Sequence, residues 1–307
     1  MAVLSELRYP TTRAAKLVSG LLALILFVVV ALASISGFLL YQVLTPARTP
    51  SSFDLNVMMG HPTAFSFTLP DGTSQDGWFF PGLRGAPTII VSHGYSSQRS
   101  DVLTLAAAMQ QHEFNAFVFD YTGHGANPGV TTLGYKEAGE LEAAVKALAG
   151  RDDVDPQNFG LWGVDLGAYT SLAVASSDSR IRALVLDDVY DSPKDLLDLE
   201  VKNSGLTQLP FVDRFCDFGF RMLNYQDKTV PPLSAHIAAT RGVPKLFIQS
   251  DGNPTLARDT AALYNIAPDP KQLIEDSVSY RDMSDDDRKN YENRVSNFFS
   301  QYLPLSR

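Results

Sequence analysis

The sequence predicts an α/β protein, a mostly parallel sheet with helices on both faces, preceded by one apolar helix long enough to cross a membrane. Two observations carry this. From about residue 63 onward, short apolar runs alternate with helix-length segments, the pattern of strands joined by crossover helices. Ahead of them, residues 17–44, LVSGLLALILFVVVALASISGFLLYQVL, hold no charged side chain. As a helix they extend about 42 Å, against a hydrocarbon core of about 30 Å. The 307 residues, 45% hydrophobic and 19% charged, suffice for one domain of roughly 250 residues plus this appendage.

Taken in order, residues 1–16 form a tail, 17–44 a transmembrane anchor, 45–62 a linker and 63–307 the globular domain. Ala31-Leu32-Ala33 followed by Ser34 resembles a signal-peptide cleavage site, but apolar sequence continues well past it, which favours an uncleaved anchor. Arg8, Arg13 and Lys16 precede the span against Glu6, and only Arg48 follows it before Arg84. Basic flanks stay cytoplasmic, so the N-terminus is expected in the cytoplasm and the domain on the opposite side. The linker TPARTPSSFD has the composition of irregular chain.

AFSFTL and QDGWFF, joined across Pro70-Asp71-Gly72, read as an antiparallel pair. PTIIVS, NAFVFD, NFGLW, IRALVLD, PKLFIQ and KQLIE read as buried strands. Residues 100–111, 135–149, 168–177 and 256–265 have helical length and composition. Ser284 is placed to cap a last helix whose first turn holds Asp285, Asp286 and Asp287, carboxylates facing the positive end of the helix dipole. That acidic run is helix chemistry rather than a metal site. The segment from Asp188 to Val243 is too long for an ordinary connection and reads as a helical insertion, a lid over one end of the sheet. Its Phe and Leu residues either dock it on the domain or line an apolar pocket.

A net charge of −9 without a Lys/Arg stripe argues against nucleic acid as a partner. A single cysteine, Cys216, permits no internal disulfide. Nothing in the sequence calls for a cofactor or a metal, and the expected partners are a membrane, through the N-terminal helix, and a small-molecule or protein ligand.

Four motifs end successive strands: Ser92-His93-Gly94-Tyr95, Asp120-Tyr121-Thr122-Gly123-His124-Gly125, Gly163-Val164-Asp165-Leu166-Gly167, and the start of the insertion after IRALVLD. In this order they resemble the α/β-hydrolase superfamily, in particular its serine aminopeptidase-like and monoacylglycerol lipase-like bacterial members. The resemblance implies an α/β-hydrolase fold and a Ser-His-Asp mechanism, with a nucleophile in a strand-to-helix elbow G-x-S-x-G and an oxyanion hole of two backbone N–H groups. The resemblance assigns those donors to Tyr95 and Leu166.

The side chains depart from this pattern at three places. Asp165 stands where the nucleophilic serine belongs. Asn253, in Ser250-Asp251-Gly252-Asn253, falls at the acid position, with Asp251 a turn residue beside it. The base position, between the last strand and the last helix, reads EDSVSYRDMSDDD, with Ser279 or Tyr280 nearest to it. All five histidines, His61, His93, His112, His124 and His236, lie earlier in the chain; His93 and His124 read as turn residues. An aspartate can attack as a carboxylate, but its ester intermediate needs a base to activate water. The expectation is therefore a membrane-anchored, non-catalytic binding, scaffold or regulatory module in which Asp165 occupies a retained oxyanion cradle. The alternative is an active hydrolase of esters, lipids or peptides using Asp165, or an atypical base such as His236.

Overall fold

The computed structural model describes residues 12–49, 60–227, 229–276 and 278–305. Glu6, Arg8 and linker residues 50–59 lie outside them. The chain divides into two units: Met1–Val43 with Leu197–Tyr225, and Leu44–Leu196 with Gln226–Arg307.

Helix α1 runs over Arg13–Leu44. It starts four residues ahead of the apolar run, because Thr12 Oγ1 accepts the N–H of Ala15 at 3.1 Å and so caps the first turn. It is long and apolar enough to cross a membrane.

Among the described residues the larger unit holds eight strands: β1 (Thr63–Thr68), β2 (Ser74–Phe80), β3 (Ala86–Ser92), β4 (Asn115–Phe119), β5 (Val154–Val164), β6 (Ile181–Asp187), β7 (Lys245–Ser250) and β8 (Lys271–Asp276). Their order across the sheet is β1-β2-β4-β3-β5-β6-β7-β8. β2 pairs antiparallel with β1 and β4, and every other pairing is parallel. The fold is thus the mostly parallel α/β architecture expected. β3 and β4 are buried along their whole length, which is why they read as unbroken apolar runs rather than alternating ones. β5 starts at Val154, earlier than NFGLW suggests, since its polar opening DPQ gave no strand signal.

Helices α2 (Leu103–Gln111), α3 (Tyr135–Leu148) and α4 (Leu166–Ala175) follow β3, β4 and β5. Between β6 and β7 come α5 (Pro193–Asn203), α6 (Val212–Leu223) and the short α7 (Leu233–His236), so the insertion is helical. Helix α8 (Pro254–Ile266) precedes β8, and α9 (Asp285–Tyr302) closes the described chain. Ser284 caps α9, its Oγ accepting the N–H of Asp287 at 3.3 Å.

Helix α9 joins the core through aromatic residues. Tyr291, Val295, Phe298 and Phe299 are buried on one face of it. The Trp162 indole of β5 donates to the Tyr291 hydroxyl at 2.9 Å, and that hydroxyl donates to Asp187 Oδ2 at 2.7 Å. The phenol therefore satisfies two buried groups at once. Tyr291→Phe is expected to leave the indole N–H and the Asp187 carboxyl without it, lowering stability by about 1–3 kcal/mol. Denaturant unfolding measures this, and a loss below about 0.5 kcal/mol would mean that water takes over both bonds.

Candidate functional site

The site is built on the turn from β5 into α4. Gly163 and Gly167 permit it. A Cβ on Gly163 would come within 2.1 Å of the Gly167 carbonyl carbon, and one on Gly167 within 2.3 Å of Ser92 O. The first turn of α4 thus lies directly on the ends of β5 and β3. Between the two glycines, Asp165 has φ 39° and ψ −99°, a conformation costing a side-chain-bearing residue of order 1–3 kcal/mol. Its N–H donates to Asp187 O at 2.9 Å and its carbonyl accepts from Tyr169 N at 2.9 Å, the first bond of α4. The turn is the sharp elbow that the motif implied, with Asp165 at its apex.

Two backbone donors converge on the side chain of that residue. Tyr95 N–H donates to Asp165 Oδ1 at 2.5 Å, and Leu166 N–H donates to the same oxygen. These are the amides that the resemblance assigned to an oxyanion hole. A Cβ on Gly94 would approach Asp165 Oδ2 to 2.4 Å, so glycine at 94 is what lets the carboxylate lie across the cradle. The charge occupying the cradle is the protein's own.

The other sequence-predicted positions hold different contacts. Asn253 caps α8, its Oδ1 accepting from Thr255 N at 3.2 Å and Leu256 N at 3.3 Å. Asp251 is exposed, and its N–H donates to Asp276 O at 3.0 Å. Ser279 donates to Asp282 Oδ2 at 3.2 Å. Its backbone N lies 3.9 Å from where a Cβ on Gly252 would sit, so the acid and base loops are neighbours, as the fold requires. Tyr280 is buried and donates to Glu292 Oε1 at 2.9 Å.

Two of the histidines hold interior turns. His93 Nε2 accepts from Tyr121 N at 3.1 Å, which leaves the proton on Nδ1 to donate to Gly94 O at 2.8 Å. Both ring nitrogens are used, and burial holds the imidazole below its ordinary pKa. His124 makes one bond, from Nδ1 to Thr122 O at 3.2 Å, and burial pushes it down to about 3. Each is thus a neutral structural residue at physiological pH. His236 ends α7 with its buried Nδ1 lacking a hydrogen-bond partner.

The structure adds residues that the motifs did not flag. β5 and β6 pair Val164 with Asp187, setting a second carboxylate behind the elbow. Asp187 is buried, Oδ1 is without a partner, and desolvation, reinforced by Asp188, raises its pKa well above the usual range. Asp188, at φ 50°, accepts Ser250 N at 2.8 Å and also the Ser250 hydroxyl. It thereby ties the end of β6 to the start of the acid loop. Tyr190 stacks on Tyr169 with centroids 5.0 Å apart and donates to Leu133 O at 2.7 Å. Burial and then the charge of Asp165 raise the Tyr190 pKa. The one advance signal was the double acid, Asp187-Asp188, closing the apolar stretch ALVL of that strand.

Fold order and elbow together define an α/β-hydrolase-type protein, and the comparisons agree. A family model described as alpha/beta hydrolase fold matches residues 87–221. The chain is 30% identical to the uncharacterized protein YfhR of Escherichia coli over 219 residues, covering 68% of this chain and 69% of that protein. The chain belongs to the α/β-hydrolase superfamily. It is also 29% identical to the polyketide transferase grgF of a Penicillium species, over 39% of this chain and 42% of that one. Among solved structures it is similar to an esterase of Pyrococcus furiosus, with a TM-score of 0.67 and 19% identity over 86% of this chain and 99% of the other. That likeness is one of fold.

The buried carboxyl at Asp187 gives a pH dependence. Below about pH 4 the residue is protonated in both the folded and unfolded chain. Above that the unfolded carboxyl ionises while the folded one keeps its proton, so its contribution to stability is lost as pH rises toward the folded pKa. Asparagine keeps the shape without titrating. Asp187→Asn is therefore expected to match the wild type near pH 4 and to gain on it by about 1.4 kcal/mol per pH unit above that. Unfolding curves at several pH values test this; a constant difference would show that Asp187 ionises in the folded protein as it does in the unfolded chain.

Proposed function

We propose that this chain is a membrane-anchored α/β-hydrolase-fold protein that binds rather than turns over its ligand, serving as a binding, scaffold or regulatory module. One observation carries the reading: Asp165 Oδ1 takes both N–H donors of the cradle. Acyl transfer needs those donors for the oxyanion that develops in the transition state. A resident carboxylate both consumes them and repels the incoming charge. The remaining parts agree, since Asn253 is committed to capping α8 and Ser279 to Asp282. His93 uses both of its nitrogens in the interior. α1 supplies the anchor, and Arg13 and Lys16 before the span support a cytoplasmic N-terminus with the domain opposite.

A second reading has one observation in its favour. The elbow keeps its strained backbone at Asp165, and strained backbone clusters at working sites. A relative named as a transferase and a fold neighbour named as an esterase are in keeping with an active enzyme of this fold.

The full-length protein in detergent separates the two. Binding without chemistry predicts no turnover of activated esters or thioesters and no mass increment on Asp165 after incubation with them. It also predicts that Asp165→Ser stays inactive, since a serine restored without a base is a poor nucleophile. Turnover by the wild type that Asp165→Ala abolishes would establish the hydrolase, and a trapped acyl adduct on Asp165 would establish an arrested one.

A further inference from the structure

Helix α6 presents three distinct faces. Val212, Cys216 and Phe220, spaced i, i+4, i+8, are buried. Asp213, Arg214, Asp217 and Arg221 form a polar face, with Arg221 paired to Asp217 at 3.0 Å. A third stripe is apolar: Phe211, Phe218 and Met222, at i, i+7 and i+11, face outward, with the half-buried Phe215 beside them. Phe218 is 64% exposed and Met222 60% exposed. Leu209 before the helix and Leu223 at its end are exposed as well. A water-facing helix with two separate apolar faces buries one in its own protein and leaves the other for something else.

What lies beside it names the occupant. The buried face of α6 packs on α1 within one unit of the chain. Cys216 Sγ lies 3.5 Å from Ser36 O. A Cβ on Gly219 would come within 2.8 Å of Leu40 Cδ2, so a missing side chain lets the two helices meet closely. The level of this contact along α1 matters. Counting from Leu17, the first residue after Lys16, Ser36 lies about 29 Å along the helix, and a hydrocarbon core is about 30 Å thick. For an upright span that begins at Leu17, Ser36 is where α1 leaves the far side of the bilayer. Phe38 and Tyr41, exposed on α1 just beyond, are the residue types that gather at that boundary.

We propose that the outward stripe of α6 rests in the headgroup and upper acyl region of the same bilayer that α1 spans, making the lid insertion a second, interfacial membrane contact. This rests on α1 being an anchor. Two acids and two bases on the polar face of α6 leave it without net charge, so apolar area rather than anionic lipid drives the contact, and neutral phosphatidylcholine suffices. The insertion is then held at the membrane surface, and ligands that partition into lipid meet it first.

The test uses the full-length chain in phosphatidylcholine vesicles, with lipids brominated near the glycerol end or near the methyl end of the acyl chain as fluorescence quenchers. Trp78 and Trp162 are buried and give the wild-type baseline. Phe218→Trp adds a reporter at an exposed position where the fold is not at stake, and Leu26→Trp reports on the middle of α1. The expected result is that Phe218→Trp loses emission beyond the wild type to the shallow bromines, while Leu26→Trp loses most to the deep ones. Quenching of Leu26→Trp alone, with Phe218→Trp open to aqueous iodide, overturns the interfacial contact and leaves the anchor standing. Shielding of Phe218→Trp from both bromine and iodide overturns it in favour of a protein partner or a second copy. Exposure of both reporters to iodide removes the anchor and the contact together.

Discussion

One oxygen atom sets what this site can do. Asp165 Oδ1 accepts from Tyr95 N and Leu166 N, and the surrounding backbone is arranged so that it can. Gly163 and Gly167 allow the turn, Gly94 leaves room for the second carboxylate oxygen, and His93 holds the 93–95 loop in place by bonding Gly94 O with one nitrogen and Tyr121 N with the other. In a catalytic member of this fold the same amides wait for an oxyanion that exists only during reaction. Here a permanent acceptor fills them. Both N–H groups are thus satisfied within the chain itself.

Behind the elbow, the interior is polar in an orderly way. Asp187, Tyr291 and Trp162 form a line of hydrogen bonds from the end of β6 to β5, by way of α9. Asp188 fastens β6 to β7 through Ser250. Such groups are costly when left unpaired and rigidifying when paired. They hold the C-terminal ends of β5, β6 and β7 in register, which in turn fixes the separation between the elbow and the acid loop. None of these bonds involves Asn253 or Ser279, so the scaffold does not depend on what stands at those two positions.

Legibility in the sequence followed physical range. The strand IRALVLD coincides with β6 from Ile181 to Asp187, because its apolar stretch Ala183–Leu186, buried throughout, announces a buried strand. The elbow and its donors were readable because a local motif dictates a local turn. The line through Tyr291 was not readable: its hydroxyl reaches Asp187 across 104 positions and Trp162 across 129, and an aromatic on an amphipathic helix looks the same whether or not its hydroxyl has a partner. Nor was the outward stripe of α6. Spacing shows that Val212, Cys216 and Phe220 share a face and that Phe215, Phe218 and Met222 share another, but which of two apolar faces is covered depends on where α1 passes. The start of β5 was hidden for the opposite reason, since its first residues are polar.

The retained elbow deserves a physical account, because strain at a site is often read as a sign of work. Holding Asp165 at φ 39° costs free energy, and in an active enzyme that cost is tolerated to project a nucleophile. In this chain the same conformation brings the Asp165 carboxylate under two N–H groups, charge-assisted bonds of a kind worth about 1.5–3 kcal/mol each. Those bonds are large enough to offset the strain without any appeal to catalysis. A serine at this place would point the same way and find one hydroxyl where Asp165 brings a charge. The aspartate at the apex therefore stabilises the turn that presents it, and the shape of the site is held by its own carboxylate.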